Sequence, residues 1–309
     1  MNPSQEKRRD KVRTGLFGRI RQWLGMHDAV MSINRRNVEY VYAWNRRRFF
    51  RYADDKVLAK QVMQQHDIPV PATFGCIRGM GDITEAWREV SRKQHLVIKP
   101  ARGRAGGGIL VLEKLSGGWK TPSGRRLDNR EVVNRIADII FGNFSLGISD
   151  TALIEERLWQ HQLFDDIYSG GIADIRVIVF RGRPVMAMSR VPTRASDGKA
   201  NLHQGALGIG IDLNSGMLNG GSIKGTPVDR HPDSGMDFCG RQVPCWDEVI
   251  AVSKRAGEVF PLKYLGVDLV LDKSRGPVVM EINARPGLEI QNVNRCGLLT
   301  RLRQLQNTP

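Results

Sequence analysis

Four cysteines in 309 residues are too few for a disulfide framework, and Cys76, Cys239, Cys245 and Cys296 show no metal-ligand spacing. No apolar run approaches the ~18 residues needed to cross a bilayer, and no secretory leader is evident. These absences predict a protein of the reducing cytoplasm. No Ser–His or Cys–His arrangement marks a protein nucleophile. Acids are also in short supply, with 32 Asp/Glu facing 47 Lys/Arg for a net charge of +15. The 41% hydrophobic content still allows one sizeable core or two modest ones.

The positive charge is unevenly placed. Residues 1–52 hold 13 Lys/Arg against four acids, which implies an anionic partner. Within this segment Leu16, Phe17, Ile20, Trp23 and Leu24 fall at helical spacing among Arg13, Arg19 and Arg21. That is the pattern of a helix lying on anionic lipid, peripheral at the inner face of a membrane. RNA is a second partner that the charge suits. A third reading docks the apolar face on the protein's own body.

Toward the other end, 266–271 and 278–282 read as neighbouring apolar strands. Asp268 lies on the first and Glu281 on the second, with Asn283 two positions further along and therefore on the same face. Oxygen ligands without His or Cys suit Mg²⁺, which also takes substrate phosphates into its shell. A solvent-facing pair of edge carboxylates would look the same. Upstream, a β-rich run delivers Lys99, followed by a loop containing Arg102, Gly103, Gly106, Gly107 and Gly108. Glycines let backbone N–H groups crowd around an anion, with Lys99 adding a point charge. The loop returns to a strand and lacks a Gly-Lys-Ser/Thr ending, which excludes Walker-type and Rossmann phosphate loops.

With both elements in view, the chain resembles an ATP-grasp ligase from about Asp54 onward. Asp54-Asp55-Lys56 through Lys60, then Asp67-Ile68-Pro69-Val70-Pro71, resembles the opening of that family's central domain. Leu153-Ile154-Glu155-Glu156-Arg157-Leu158 resembles its adenine hinge. Asp174-Ile175-Arg176-Val177, Ser189-Arg190 and Asn201-Leu202-His203-Gln204-Gly205 are similar to signatures of the RimK-type, alpha-L-glutamate ligase-like branch, in the same order. Three departures stand out. Only 53 residues precede Asp54, where RimK-type enzymes carry a full α/β domain. Gly266 occupies a position where D-alanine–D-alanine ligases have an oxyanion-stabilising Arg, and Ser189 replaces a basic residue.

The resemblance implies an α+β ATP-grasp fold, two α/β lobes clasping ATP, with a short helical, basic N-terminal extension. It divides the chain into a basic segment 1–53 and an ATP-grasp domain 54–309, with a small lobe at 54–150 and a strand-rich lobe at 151–309. It places nucleotide phosphates on Lys56 and Lys99 and adenine on Glu155 and the Glu156-Arg157-Leu158 backbone, while ribose falls to Gln162 or Asp165. The metals implied are two Mg²⁺ on Asp268, Glu281 and Asn283, with Mn²⁺ an alternative. Arg176 and Arg190 suit γ-phosphate and a carboxylate substrate, because guanidinium binds planar oxyanions in bidentate fashion. Arg285 is the candidate to replace the missing oxyanion Arg, and Asn201, His203, Glu289 and Asn292 are candidates for the acceptor pocket. The implied reaction joins a carboxylate to an amine through an acyl phosphate, adding an amino acid such as glutamate to a peptide or protein. The alternatives are an amino sugar or cell-envelope precursor as acceptor, or a non-catalytic nucleotide-binding scaffold.

Helices are expected at 55–66, Asn129–Phe141, Trp246–Glu258 and Leu288–Gln306, with one or two more between Ala29 and Arg51 interrupted near Arg35-Arg36-Asn37. Strands are expected at Ile172–Phe180, Val185–Arg190 and Val267–Leu271, and a Gly/Asn-rich loop region at Asn201–Pro232 over the nucleotide. Deleting residues 1–25 is expected to weaken pelleting with anionic liposomes; unchanged pelleting would exclude the lipid reading.

Overall fold

A computed structural model of the protein describes residues 29–103 and 106–306. The lipid-facing helix expected at Leu16–Leu24 lies outside the described residues. Among those described, no helix is long and apolar enough to cross a membrane.

Two antiparallel sheets organise the chain. The first contains β1 (Thr73–Ile77), β2 (His95–Pro100), β3 (Leu110–Leu115), β4 (Gly118–Lys120), β5 (Arg126–Leu127) and β6 (Ala152–Glu155), in the order β1-β6-β2-β3-β4-β5. The helix Asn129–Ile140 begins at a capping box, in which Asp128 accepts from the Glu131 N–H and Glu131 accepts from the Asp128 N–H. Its Val132, Ile136, Ile139 and Ile140 recur at helical spacing and join Leu96, Ile98 and Ile154 in one core.

The second sheet contains β7 (Asp174–Phe180), β8 (Arg183–Val191), β9 (Leu207–Ile211), β10 (Leu218–Ile223), β11 (Thr226–Val228), β12 (Tyr264–Asp272) and β13 (Gly276–Asn283), in the order β11-β10-β9-β8-β7-β12-β13. Every residue of β12 is buried. The helix Trp246–Val259 packs across β7, β8, β12 and β13. It comes close because Gly257 has no side chain: a Cβ there would lie 2.4 Å from Val179. The expected helices at 55–66, 129–141 and 246–258 are present, as Lys56–Gln65, Asn129–Ile140 and Trp246–Val259.

Two expectations are overturned. The segment Asn201–Pro232 is not a loop region, since it supplies β9, β10 and β11. Its glycines serve close packing, because a Cβ on Gly208 would lie 2.6 Å from Val293 and one on Gly221 2.7 Å from Phe238. The last helix is broken into Glu289–Val293 and Leu298–Gln306, with Arg295 at φ 49 between them. Gly297 lies in that break against the Ala29 carbonyl, and a Cβ placed there would stand 2.1 Å from it, so no larger residue fits at this contact.

The basic segment from Met31 onward joins the core of the second sheet, together with Ala59, Met63 and Ile68. A short helix at Ile33–Arg35 passes into π-helical winding at Arg36–Tyr42, where the sequence reading expected an interruption. Tyr40 and Trp44 pack edge-on against Phe180, with centroids 5.6 and 5.2 Å apart. Buried Asn45 ties the segment down through three hydrogen bonds. Its amide donates to the Tyr264 carbonyl at 2.6 Å, and its oxygen accepts from the N–H groups of Lys263 (2.7 Å) and Tyr264 (3.1 Å). Asn45→Ala leaves three backbone groups unpaired and is expected to cost about 2–4 kcal/mol in urea unfolding. A loss below about 0.5 kcal/mol would show that the segment is not anchored there.

Candidate active site

Between the sheets runs a narrow crevice lined by Lys56, Lys60, Lys99, Glu155, Met280 and Glu281. Asp55 caps the helix Lys56–Gln65 by accepting from the Val57 and Leu58 N–H groups, so Lys56 and Lys60 stand one turn apart on one face. On the adjacent strands, Val97 pairs with Glu155 and Lys99 with Leu153, which puts Lys99 and Glu155 on the same face of the first sheet. The Glu155 carboxylate meets Lys99 at 2.6 Å and also pairs with Lys60; all three residues are at most 5% exposed. Burial pushes the Glu155 carboxyl upward, but Lys99 and Lys60 outweigh it and hold it below the usual range. For Lys60 burial prevails over the shared carboxylate and lowers the ammonium. The two directions agree physically, because one carboxylate cannot neutralise two ammoniums. The cluster keeps an uncompensated positive charge, which is a demand for an anion. Lys60, which the sequence reading quoted without assigning a role, belongs to the site. Its signal was the four-residue spacing from Lys56. Lys56 itself donates to the Gly103 carbonyl at 2.9 Å and lies 3.6 Å from Glu281.

A second cluster lies on the larger sheet, built by strand register. Asp174 is directly opposite Arg190, Arg176 opposite Asp268, and Asp268 opposite Glu281. A register shift after Asp268 marks a bulge beside the site. Arg176 clasps Asp268 with two hydrogen bonds of 2.7 and 2.6 Å. Arg190 does the same to Asp174, at 2.6 Å twice, and reaches Asp268 at 2.9 Å. Asn283 donates to Asp268 at 2.9 Å. Burial raises both carboxyls. For Asp268 the two guanidiniums outweigh it and hold the group at about 2. For Asp174 burial, aided by the Asp268 charge, outweighs Arg190 and lifts it to about 6. Asp174 is a second residue that the sequence reading quoted but did not assign.

Two of the three departures from the family pattern, Gly266 and Ser189, have steric reasons. A Cβ at Gly266 would lie 2.8 Å from Pro286. Ser189 is fully buried and donates to the Asp174 carbonyl, a place that a lysine could not occupy.

The donor set Asp268, Glu281 and Asn283 fits a hard divalent cation in chemistry, with two carboxylates and one amide on facing positions of β12 and β13. Among the described residues no three His, Cys, Asp or Glu gather as a metal cluster. Phosphate oxygens would therefore have to complete the shell.

The other candidates divide into three places. His203, Glu289 and Asn292 line one cavity of about 350 Å³, while Asn201 accepts from the His203 N–H and fixes the turn that carries it. Leu158 is buried against Val270 and Val278 at the hinge. The remaining residues are engaged elsewhere. Glu156 accepts from the Ala72 N–H and pairs with Arg275; Arg157 lies 4.1 Å over the Trp159 ring; Asp165 accepts from Gln160. Arg285 lies 4.3 Å over the Phe50 ring, and the exposed Arg102 guanidinium stands 3.4 Å from Asp55. In the glycine loop, Gly106 and Gly108 have φ of 74° and 76°, and Gly103 is pressed against Pro100, 2.2 Å from a Cβ built there.

Two antiparallel sheets facing each other across a lysine-lined crevice, with carboxylates on the larger one, define an ATP-grasp protein. The chain belongs to the sugar-transfer associated ATP-grasp family, whose profile matches residues 35–307. It is 26% identical over 239 residues to a probable alpha-L-glutamate ligase of Thioalkalivibrio sulfidiphilus (strain HL-EbGR7), covering 77% of this chain and 57% of that protein. A probable alpha-L-glutamate ligase of Alcanivorax borkumensis is 27% identical over 237 residues, 76% of this chain and 56% of the relative. The chain thus spans a little over half the length of these curated relatives. In fold alone it is similar to the biotin carboxylase of Campylobacter jejuni, with TM-score 0.51 at 14% identity over 81% of this chain and 45% of that one. The expected α+β ATP-grasp class is thereby borne out, and the expected glutamate ligase-like resemblance is met by the names of these relatives.

Replacing Glu155 by Gln strands two buried ammoniums and is expected to destabilise the fold by about 3 kcal/mol near pH 7. Because the folded carboxyl is depressed, its contribution is complete above the unfolded value near 4.5 and is lost as pH falls through the lower folded value. Urea unfolding of both forms between pH 3 and 7 checks this. A stability difference that did not narrow in acid would refute the assignment.

Proposed function

We propose that the protein is an ATP- and Mg²⁺-dependent carboxylate–amine ligase that adds an amino acid such as glutamate to an amine acceptor. The observation that carries this reading is the buried Lys60–Glu155–Lys99 group, whose surplus positive charge faces the crevice opposite Glu281. In the proposed reaction a substrate carboxylate oxygen attacks the γ-phosphorus of ATP, the bond to the β-phosphate oxygen breaks, and ADP leaves. The amine then attacks the acyl carbon, phosphate departs with the former carboxylate oxygen, and the product carries one water less than the acid–amine pair.

The residues divide this work by charge. Lys56, Lys60 and Lys99 hold nucleotide phosphates, with the Gly103–Gly108 loop closing over them. The adenine meets the Glu155–Leu158 hinge. Arg176 and Arg190 are placed to take the γ-phosphate and the carboxylate substrate, exchanging part of their grip on Asp268 for these anions. Asp174 keeps Arg190 oriented while that exchange occurs. A divalent cation on Asp268, Glu281 and Asn283 would neutralise charge on the β- and γ-phosphate oxygens. No protein nucleophile is required, so rate acceleration comes from positioning and electrostatics. The basic segment 1–52 supplies attraction to an anionic surface, of which lipid is the one its apolar spacing suits.

Glu281→Ala removes a ligand rather than core volume. It is expected to lower ADP release by at least about 100-fold while unfolding as wild type does. Lys60→Ala is expected to weaken MgATP binding by roughly tenfold or more. Normal ADP release by Glu281→Ala would sink the metal assignment. Unchanged MgATP affinity in Lys60→Ala would remove the phosphate role.

A further inference from the structure

The cavity of about 350 Å³ that contains His203, Glu289 and Asn292 also contains Lys224 and Ser222, which the sequence reading did not single out. Its size is in the range of small-ligand sites. Lys224 and Gly225 form the two-residue turn between β10 and β11, with φ of 49° and 85°. Such a turn favours Asn or Gly at its first position, and lysine there costs backbone strain of order 1 kcal/mol. The turn nevertheless puts an ammonium at the rim of the cavity.

The Glu289 carboxylate belongs to the same lining. One of its oxygens accepts from the Asn292 amide at 3.0 Å. Among the described residues neither Lys224 nor Glu289 enters any ion pair, and they do not pair with each other. Two opposite charges thus line one cavity without pairing with each other.

The cavity also adjoins the arginine cluster from two sides. Gly208 lies directly opposite Arg190 in the sheet, and a Cβ on it would touch Val293 at 2.6 Å and Leu202 at 3.4 Å, both cavity-lining residues. On the Glu289 side, a Cβ built at Gly287, two residues upstream, would lie 3.9 Å from the Arg176 guanidinium. Glu289 is therefore on the wall that continues toward the proposed site of acyl transfer, while Lys224 occupies a hairpin tip.

We propose that this cavity binds the amine acceptor as a zwitterion, a free amino acid or short peptide. Its ammonium end lies against Glu289 and its carboxylate against Lys224, with His203 and Ser222 beside it. The orientation follows from the charges. The amine sits on the wall near Arg176, where it can reach an acyl carbon once its ammonium has passed a proton to solvent, and the acid points away. An amino sugar has no carboxylate to set against Lys224. The inference rests on the ligase reading for the amine's role in the reaction, but the binding itself does not.

The test uses the full chain with MgADP and saturation-transfer NMR over the common amino acids and dipeptides, each beside its carboxamide and its N-acetyl derivative. At least one free zwitterion is expected to bind, with amidation and acetylation each weakening it by about tenfold or more. Lys224→Met should erase the preference for acid over amide, and Glu289→Gln the preference for free over acetylated amine, each leaving the other preference in place. Absence of binding by every zwitterion, or amides and acetylated forms binding equally well, would overturn the proposal. ADP release from MgATP is measured in parallel. Zwitterion binding without ADP release for any acid–amine pair would count against the ligase and leave the site standing. Release in which an amino sugar serves as the amine and no amino acid or peptide does would overturn the zwitterion site and leave the ligase.

Discussion

Asp268 accepts hydrogen bonds from Arg176, Arg190 and Asn283, and the strands carrying these four residues are β12, β7, β8 and β13. The arrangement depends on register. Arg176 must stand opposite Asp268, and Arg190 opposite Asp174, for the guanidiniums to reach both carboxylates. A slip of one residue in β7 would send Asp174 and Arg176 to the other face, where the sheet is packed with aliphatic side chains. The apolar residues between the charges resist that slip, because Ile175 and Val177 would then be forced out of the core. Hydrophobic alternation and charge alternation along β7 therefore state the same constraint twice.

The same economy appears on the smaller sheet. Glu155 ends β6 with its carboxylate shared by Lys99 from the neighbouring strand and Lys60 from a helix outside that sheet. The helix Lys56–Gln65 packs Ala59 and Met63 into the core of the larger sheet, so the Lys60–Glu155 pair spans the crevice as well as charging it. Val279 adds a backbone tie across the same gap by donating to the Pro69 carbonyl at 2.8 Å. The crevice is held by groups that also give it the charge to attract an anion.

Much of this was legible along the chain. The helix Lys56–Gln65 was marked by Asp55 before it and Ile68-Pro69 after it, and the Asp268–Glu281 pairing by two apolar runs with one charge in each. What misled the reading was glycine. In Asn201–Pro232 glycine density suggested loops, yet Gly208, Gly210 and Gly221 lie in strands because Val293, Asn294, Leu207 and Phe238 fill the space where a side chain would stand. The continuous helix expected at Leu288–Gln306 is broken where Gly297 admits the Ala29 carbonyl from a distant segment. Neither contact leaves a trace within a local window.

By itself the sequence determined three of the helices, the oxygen-bearing residues of β12 and β13, and the family, and it marked Lys56 and Lys99 as candidates for phosphate. The helices and the strand residues follow from local periodicity and capping, which physics reads over a few residues at a time, while the family and the lysine candidates follow from resemblance of short motifs in a fixed order. Only the tertiary structure decided that Lys60 completes the buried charge group, that Asp174 holds Arg190, that Gly266 and Ser189 have no room to be basic residues, and that the first described residues belong to the core of the second sheet. It also brought Lys224 and Glu289, residues 65 positions apart in the chain, to the lining of one cavity. Each of these depends on which surfaces meet after folding, and such meetings are set by packing between distant segments rather than by the preferences of any one of them.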